Sequence, residues 1–177
     1  MHRYYCAPCG IDTVVYNSCG SSQCPQCAGG KRAAWSESTS NLLLDGVTYF
    51  QVVFTIPDSL SALALGNRTE MLRLLFRSAW EALKETIEDE QGFEAAAMMV
   101  LHTWSQILDA HAHVHAIVPG GGPALSGPER WINSCRPGSR RRAKKRRKHY
   151  LVNEATLKAS FRDTFLAGLV KLHASGK

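Results

Sequence analysis

His111-Ala112-His113-Val114-His115-Ala116-Ile117-Val118-Pro119 is the stretch that decides the fold. Polar and apolar residues alternate with a period of two. In an extended chain the three imidazoles therefore leave one face, while Ala112, Val114 and Ala116 leave the other. The pattern predicts a strand packed by its small apolar side on helices, with successive histidines roughly 7 Å apart. Two imidazoles held this way can chelate one divalent ion and leave positions open for a substrate oxygen. Bound to a phosphate, such an ion is a Lewis acid and a template for attack on phosphorus. The competing reading is a solvated strand face whose histidines bind nothing. His111, His102 and Gln106 are the candidates for a third ligand; His102 could equally be a core histidine.

The elements around this strand follow from their periodicity. Ala95–Trp104 (AAAMMVLHTW) is short and apolar, and reads as a strand rather than a helix. Arg68–Asp89 carries Met71, Leu72, Leu75, Phe76, Ala79, Leu83 and Ile87 at helical spacing. Val47–Ile56 is β-branched and aromatic and stops at Pro57, as a strand would. Downstream, Gly120–Gly127 reads as a loop, Gly-rich enough for a ligand backbone to approach. A solvated basic segment follows. Ala155–His173 shows Leu157, Phe161, Phe165, Leu166, Leu169 and Leu172 at helical spacing, with Gly176 beyond its end. There are no internal repeats. The order β-α-β-β, basic insert, helix predicts an α+β fold, an antiparallel sheet backed by helices.

Five of the six cysteines lie between Cys6 and Cys27. Cys6-Ala-Pro-Cys9 and Cys24-Pro-Gln-Cys27 are two CxxC motifs separated by 14 residues. Each turn brings two thiolates onto one ion, and two turns complete a tetrahedron, so structural zinc on Cys6, Cys9, Cys24 and Cys27 is expected. Residues 1–30 have too few apolar side chains for a core, and ion binding would supply their folding energy. Redox-active pairs are the alternative. Cys19 could replace one ligand or be a spare buried thiol, and Cys135 stands alone as an inert one.

The chain has 177 residues, 45% hydrophobic, enough for one domain and a small module and too few for a large α/β barrel. Eight of its 21 Lys+Arg fall between Arg140 and Lys148; the remaining 13 face 15 acidic residues. The chain is thus mildly acidic with one dense basic block, Arg140, Arg141, Arg142, Lys144, Lys145, Arg146, Arg147 and Lys148, and a polyanion partner is expected. No secretory signal follows the start, and no apolar run approaches a membrane span. Clustered cysteines without an export signal point to metal ligation in the reducing cytoplasm.

Several stretches together carry a family resemblance: Tyr16-Asn17-Ser18-Cys19, Cys24-Pro25-Gln26-Cys27, Tyr49-Phe50-Gln51-Val52-Val53-Phe54-Thr55-Ile56-Pro57, Leu101-His102-Thr103-Trp104, His111-Ala112-His113-Val114-His115, Val118-Pro119-Gly120-Gly121-Gly122 and Phe165-Leu166-Ala167-Gly168-Leu169. The chain resembles the zinc-ribbon, two-tyrosine rolling-circle transposases of bacterial insertion sequences, within the HUH endonuclease superfamily. The resemblance implies a ferredoxin-like (RRM-like) sheet whose central strand carries His113 and His115 as ligands of Mg²⁺ or Mn²⁺. It implies nicking and rejoining of single-stranded DNA at transposon ends: a tyrosine attacks the scissile phosphate, leaving a 5′-phosphotyrosine and a free 3′-hydroxyl. It also implies a bacterial, nucleoid-associated protein.

Three features depart from the family pattern. Gly20-Ser21-Ser22-Gln23 stands where a basic, His-containing turn is usual. Ser139–His149 looks inserted. The family's nucleophilic tyrosines follow the last helix, so this chain looks truncated at both ends, and Tyr150 is a poor substitute. The expected organisation is a zinc ribbon at 1–30, a linker or short helix at 31–46, and an incomplete catalytic domain at 47–177 with its insert at 139–149. The rival reading is a non-catalytic zinc-ribbon nucleic-acid-binding protein using Arg140–Lys148. A third, a zinc hydrolase, would need Asp109 as its base.

Overall fold

The computed structural model describes residues 2–15, 17, 19, 24–104, 110–135 and 150–176. The chain forms two compact units, 1–45 and 46–177. In the first, β1 (His2–Cys6) pairs antiparallel with β2 (Ile11–Val15). The turn between them is closed by the Gly10 N–H on the Cys6 carbonyl at 2.8 Å, with Gly10 at φ +67°, where glycine is unstrained. Both faces of this hairpin are exposed, and an Arg3–Asp12 ion pair crosses it. The helix α1 (Pro25–Ser40) begins earlier than the polar stretch at 31 suggested. Proline fixes a helical φ and needs no N–H partner in a first turn, so Cys24-Pro25 starts the helix.

The second unit runs β3 (Tyr49–Thr55), a 3₁₀ turn Asp58–Leu60, α2 (Ser61–Gly66), α3 (Arg68–Gln91), β4 (Met98–Trp104), β5 (Ala110–Pro119), β6 (Gly121–Ala124), β7 (Gly127–Asn133) and α4 (Glu154–Ala174). β3, β5 and β4 form an antiparallel sheet in that order, so the histidine strand is central. The fold is α+β. Ala112, Val114, Ala116 and Val118 are buried against α3 and α4, where Leu75, Leu83, Ile87 and Phe165 complete the core. Burying one apolar side of β5 forces the histidines to the opposite, open face. Phe76, read as part of the helical stripe, is instead 38% exposed at its margin. No helix among the described residues is long and apolar enough to cross a membrane.

Two features of this unit were illegible in sequence. Gly120–Gly127 is not an open loop: it supplies β6 and the turn into β7. A Cβ on Gly121 would lie 2.7 Å from the Ile132 carbonyl oxygen, and one on Gly122 would lie 2.5 Å from that of Glu94. These glycines are buried and let backbone meet backbone within the protein, so they are not a surface for DNA. The buried Gln91 side chain donates to the carbonyls of Cys135 (3.1 Å) and Leu151 (2.9 Å) and accepts from the Cys135 N–H (3.0 Å). One amide thus pins both chain segments that flank residues 136–149 to the end of α3.

Candidate metal centres and their family

The exposed face of the sheet is built in register. Val100, His115 and Val53 stand opposite one another across the three strands, as do His102, His113 and Thr55. Ligand atoms of His102, His113 and His115 lie within 4.8 Å of one another, close enough for one ion. The rings of His102 sit 5.1 Å from His113 and 4.6 Å from His115, centroid to centroid.

Hydrogen bonds decide which nitrogens are available. Nδ1 of His113 lies 3.0 Å from the His111 carbonyl oxygen. A carbonyl only accepts, so Nδ1 donates and Nε2 keeps a lone pair for an ion. Nδ1 of His115 lies 3.0 Å from the Gln51 carboxamide. Burial, then the neighbouring charges of His102 and His113, lower the His115 pKa below the ordinary imidazole value, favouring the neutral ligand form. His111 is turned away: Nδ1 meets Asp58 at 3.1 Å and Nε2 meets the Thr55 hydroxyl at 2.9 Å. With both nitrogens engaged it does not join the cluster, so of the two histidines weighed as third ligand the structure brings in His102.

Gln51, Thr55 and Asp58 were missed by sequence reasoning. Their signal was present in part. Phe50, Val52 and Phe54 alternate with Gln51, Val53 and Thr55, so the polar positions of β3 share a face. Which histidine each would meet depends on register, which the pattern does not state.

In the first unit, thiol groups of Cys19, Cys24 and Cys27 lie within 4.8 Å of one another, Cys19 and Cys27 at 3.4 Å. Cys24 caps α1 and Cys27 lies in its first turn, so both thiols gather at one helix end. Cys19 is exposed, not a spare buried thiol. Cys6 and Cys9, paired with Cys24 and Cys27 on spacing alone, stand outside this group, at the β1–β2 turn. There the Cys6 side chain, then the Ile11 backbone, lower the Cys9 pKa.

Tyr150 donates its hydroxyl to Glu90 at 3.0 Å, on the helix that covers the face opposite the histidines. Gln106, Asp109 and the basic block Arg140–Lys148 lie outside the described residues.

A thiol cluster thus precedes an α+β domain that bears three converging imidazoles. Residues 1–56 match the family model described as "Transposase zinc-binding domain", and residues 96–177 match that described as "Putative transposase". The chain belongs to this zinc-binding, two-tyrosine transposase family. It is 36% identical over 178 residues to "Putative transposase y4qJ" of Sinorhizobium fredii (strain NBRC 101917 / NGR234), covering 99% of this chain and 41% of that protein. It is 32% identical over 146 residues to the transposase for insertion sequence element IS801 of Pseudomonas savastanoi pv. phaseolicola, covering 80% of this chain and 34% of that one. The chain thus spans well under half the length of these curated relatives. Among solved structures, the conjugative relaxase TrwC in complex with oriT DNA, metal-bound, aligns with TM-score 0.42 at 18% identity, over 69% of this chain and 43% of that one.

Proposed function

We propose that this chain is the phosphate-activating part of a rolling-circle transposase that nicks and rejoins single-stranded DNA at transposon ends. The observation that carries the reading is the convergence of His102, His113 and His115 on an open sheet face. Three imidazole nitrogens suit a divalent ion, Mg²⁺ or Mn²⁺ in this family, and leave positions open on the solvent side. When bound, the ion would polarise a phosphate oxygen. The protein's own contribution is to hold the three rings at one spot, with Nδ1 of His113 donating to backbone so that Nε2 faces the ion. The thiols of Cys19, Cys24 and Cys27 would bind structural zinc, its fourth ligand drawn from the Cys6–Cys9 turn. Arg140–Lys148 would supply sequence-independent attraction to the DNA backbone. The setting is the bacterial cytoplasm, at the nucleoid.

A joint titration with Mn²⁺ and single-stranded DNA tests this. Each is expected to tighten the other by the same factor, as linkage requires. His113→Ala with His115→Ala should abolish that coupling. Identical, Mn²⁺-independent DNA binding by wild type and double variant would leave a non-catalytic nucleic-acid-binding protein instead.

A further inference from the structure

Gln51 stands opposite Ile117 in the β3–β5 ladder and reaches diagonally across to Nδ1 of His115, 3.0 Å from its carboxamide. A diagonal neighbour in an antiparallel pair is within reach of a long side chain. The bond matters because a neutral imidazole has a single N–H, and the partner of one nitrogen decides the state of the other.

The two strand histidines are held differently. His113 faces a backbone carbonyl, which can only accept, so its Nδ1 must carry the proton. His115 faces a side-chain amide, which can donate or accept. In the structure the amide nitrogen is toward Nδ1. That setting makes Nδ1 an acceptor and places the ring proton on Nε2, where it blocks ligation. Half a turn of the carboxamide puts Oε1 in the same place. It then accepts from Nδ1–H and frees the Nε2 lone pair, with no movement of the backbone.

We propose that Gln51 is a positioning residue of the three-histidine centre: turned with Oε1 toward the ring, it holds His115 in the one tautomer that can bind a divalent ion. This rests on reading the cluster as a metal centre. Ion binding and the amide turn are then a single linked event, and Gln51 acts on the ion only through His115. Because Gln51 is exposed, replacing it leaves the core intact.

The test is Mn²⁺ affinity of the full chain, read as free Mn²⁺ by electron paramagnetic resonance, with the His115 tautomer read from its ¹⁵N shifts. Gln51→Leu is expected to bind about tenfold more weakly, the low end for loss of an outer partner, with His115 protonated at Nε2. Gln51→Glu, whose carboxylate only accepts, should bind at least as tightly as wild type, with Nδ1 protonated. Wild-type affinity in Gln51→Leu, or Gln51→Glu binding as weakly as Gln51→Leu, overturns the proposal alone. His113→Ala that binds Mn²⁺ like wild type overturns the metal-centre reading, and the proposal with it.

Discussion

His102 on β4 and His113 on β5 face each other in register, their ring centroids 5.1 Å apart. This pairing turns a two-histidine strand into a three-nitrogen cluster. Two imidazoles on one strand make a weak chelate; the third comes from the neighbouring strand at the same level, and no segment has to fold over to deliver it.

His102→Ala should therefore damage the site as His113→Ala does. Loss of an outer partner alone typically costs 10–100-fold in affinity, and loss of a direct ligand is expected to cost no less than about tenfold. His111→Ala, whose ring bonds Asp58 and Thr55, should cost much less. Calorimetric Mn²⁺ titration of the three variants checks the order.

The thiol cluster makes a prediction that spacing alone would not. Cys19→Ser should reduce bound zinc as severely as Cys24→Ser or Cys27→Ser, because the three thiols already lie together. Metal content after gel filtration is the measurement. Full zinc retention by Cys19→Ser would restore the Cys6, Cys9, Cys24 and Cys27 set.

Gly168 tests how α4 packs. It is buried, and an added Cβ would collide with Leu74 on α3. In an open helix Gly→Ala stabilises by about 1 kcal/mol. Here overpacking should win, and Gly168→Ala is expected to destabilise by about 1–3 kcal/mol. Urea unfolding should show a lower midpoint with an unchanged slope, and Leu74→Ala should relieve the clash in the double variant.

The basic block is tested through salt. Each phosphate neutralised lowers the slope of log affinity against log salt by roughly 0.7 for single strands. Replacing Arg140–Lys148 with Gly/Ser should flatten that slope. An unchanged slope would make the block bystander charge.

The amino-acid sequence by itself determined the elements and their sides. The period-two alternation of His111–Val118 is a strand with histidines on one face and nothing else, because a strand's side-chain period is two. The stripe of α3 needed only the 3.6-residue repeat, and the apolar face of β5 needed a cover that α3 and α4 supply. The glycine run after Pro119 misled for a physical reason: glycine permits close approach, but sequence does not say whether backbone or ligand comes close. Tertiary structure alone brought Cys19 to Cys24 and Cys27, set His102 beside His113 and His115, and let Gln51 reach His115. Each of these depends on register between segments distant in the chain. Local periodicity fixes which way a side chain points, but only the pairing of strands fixes what it meets.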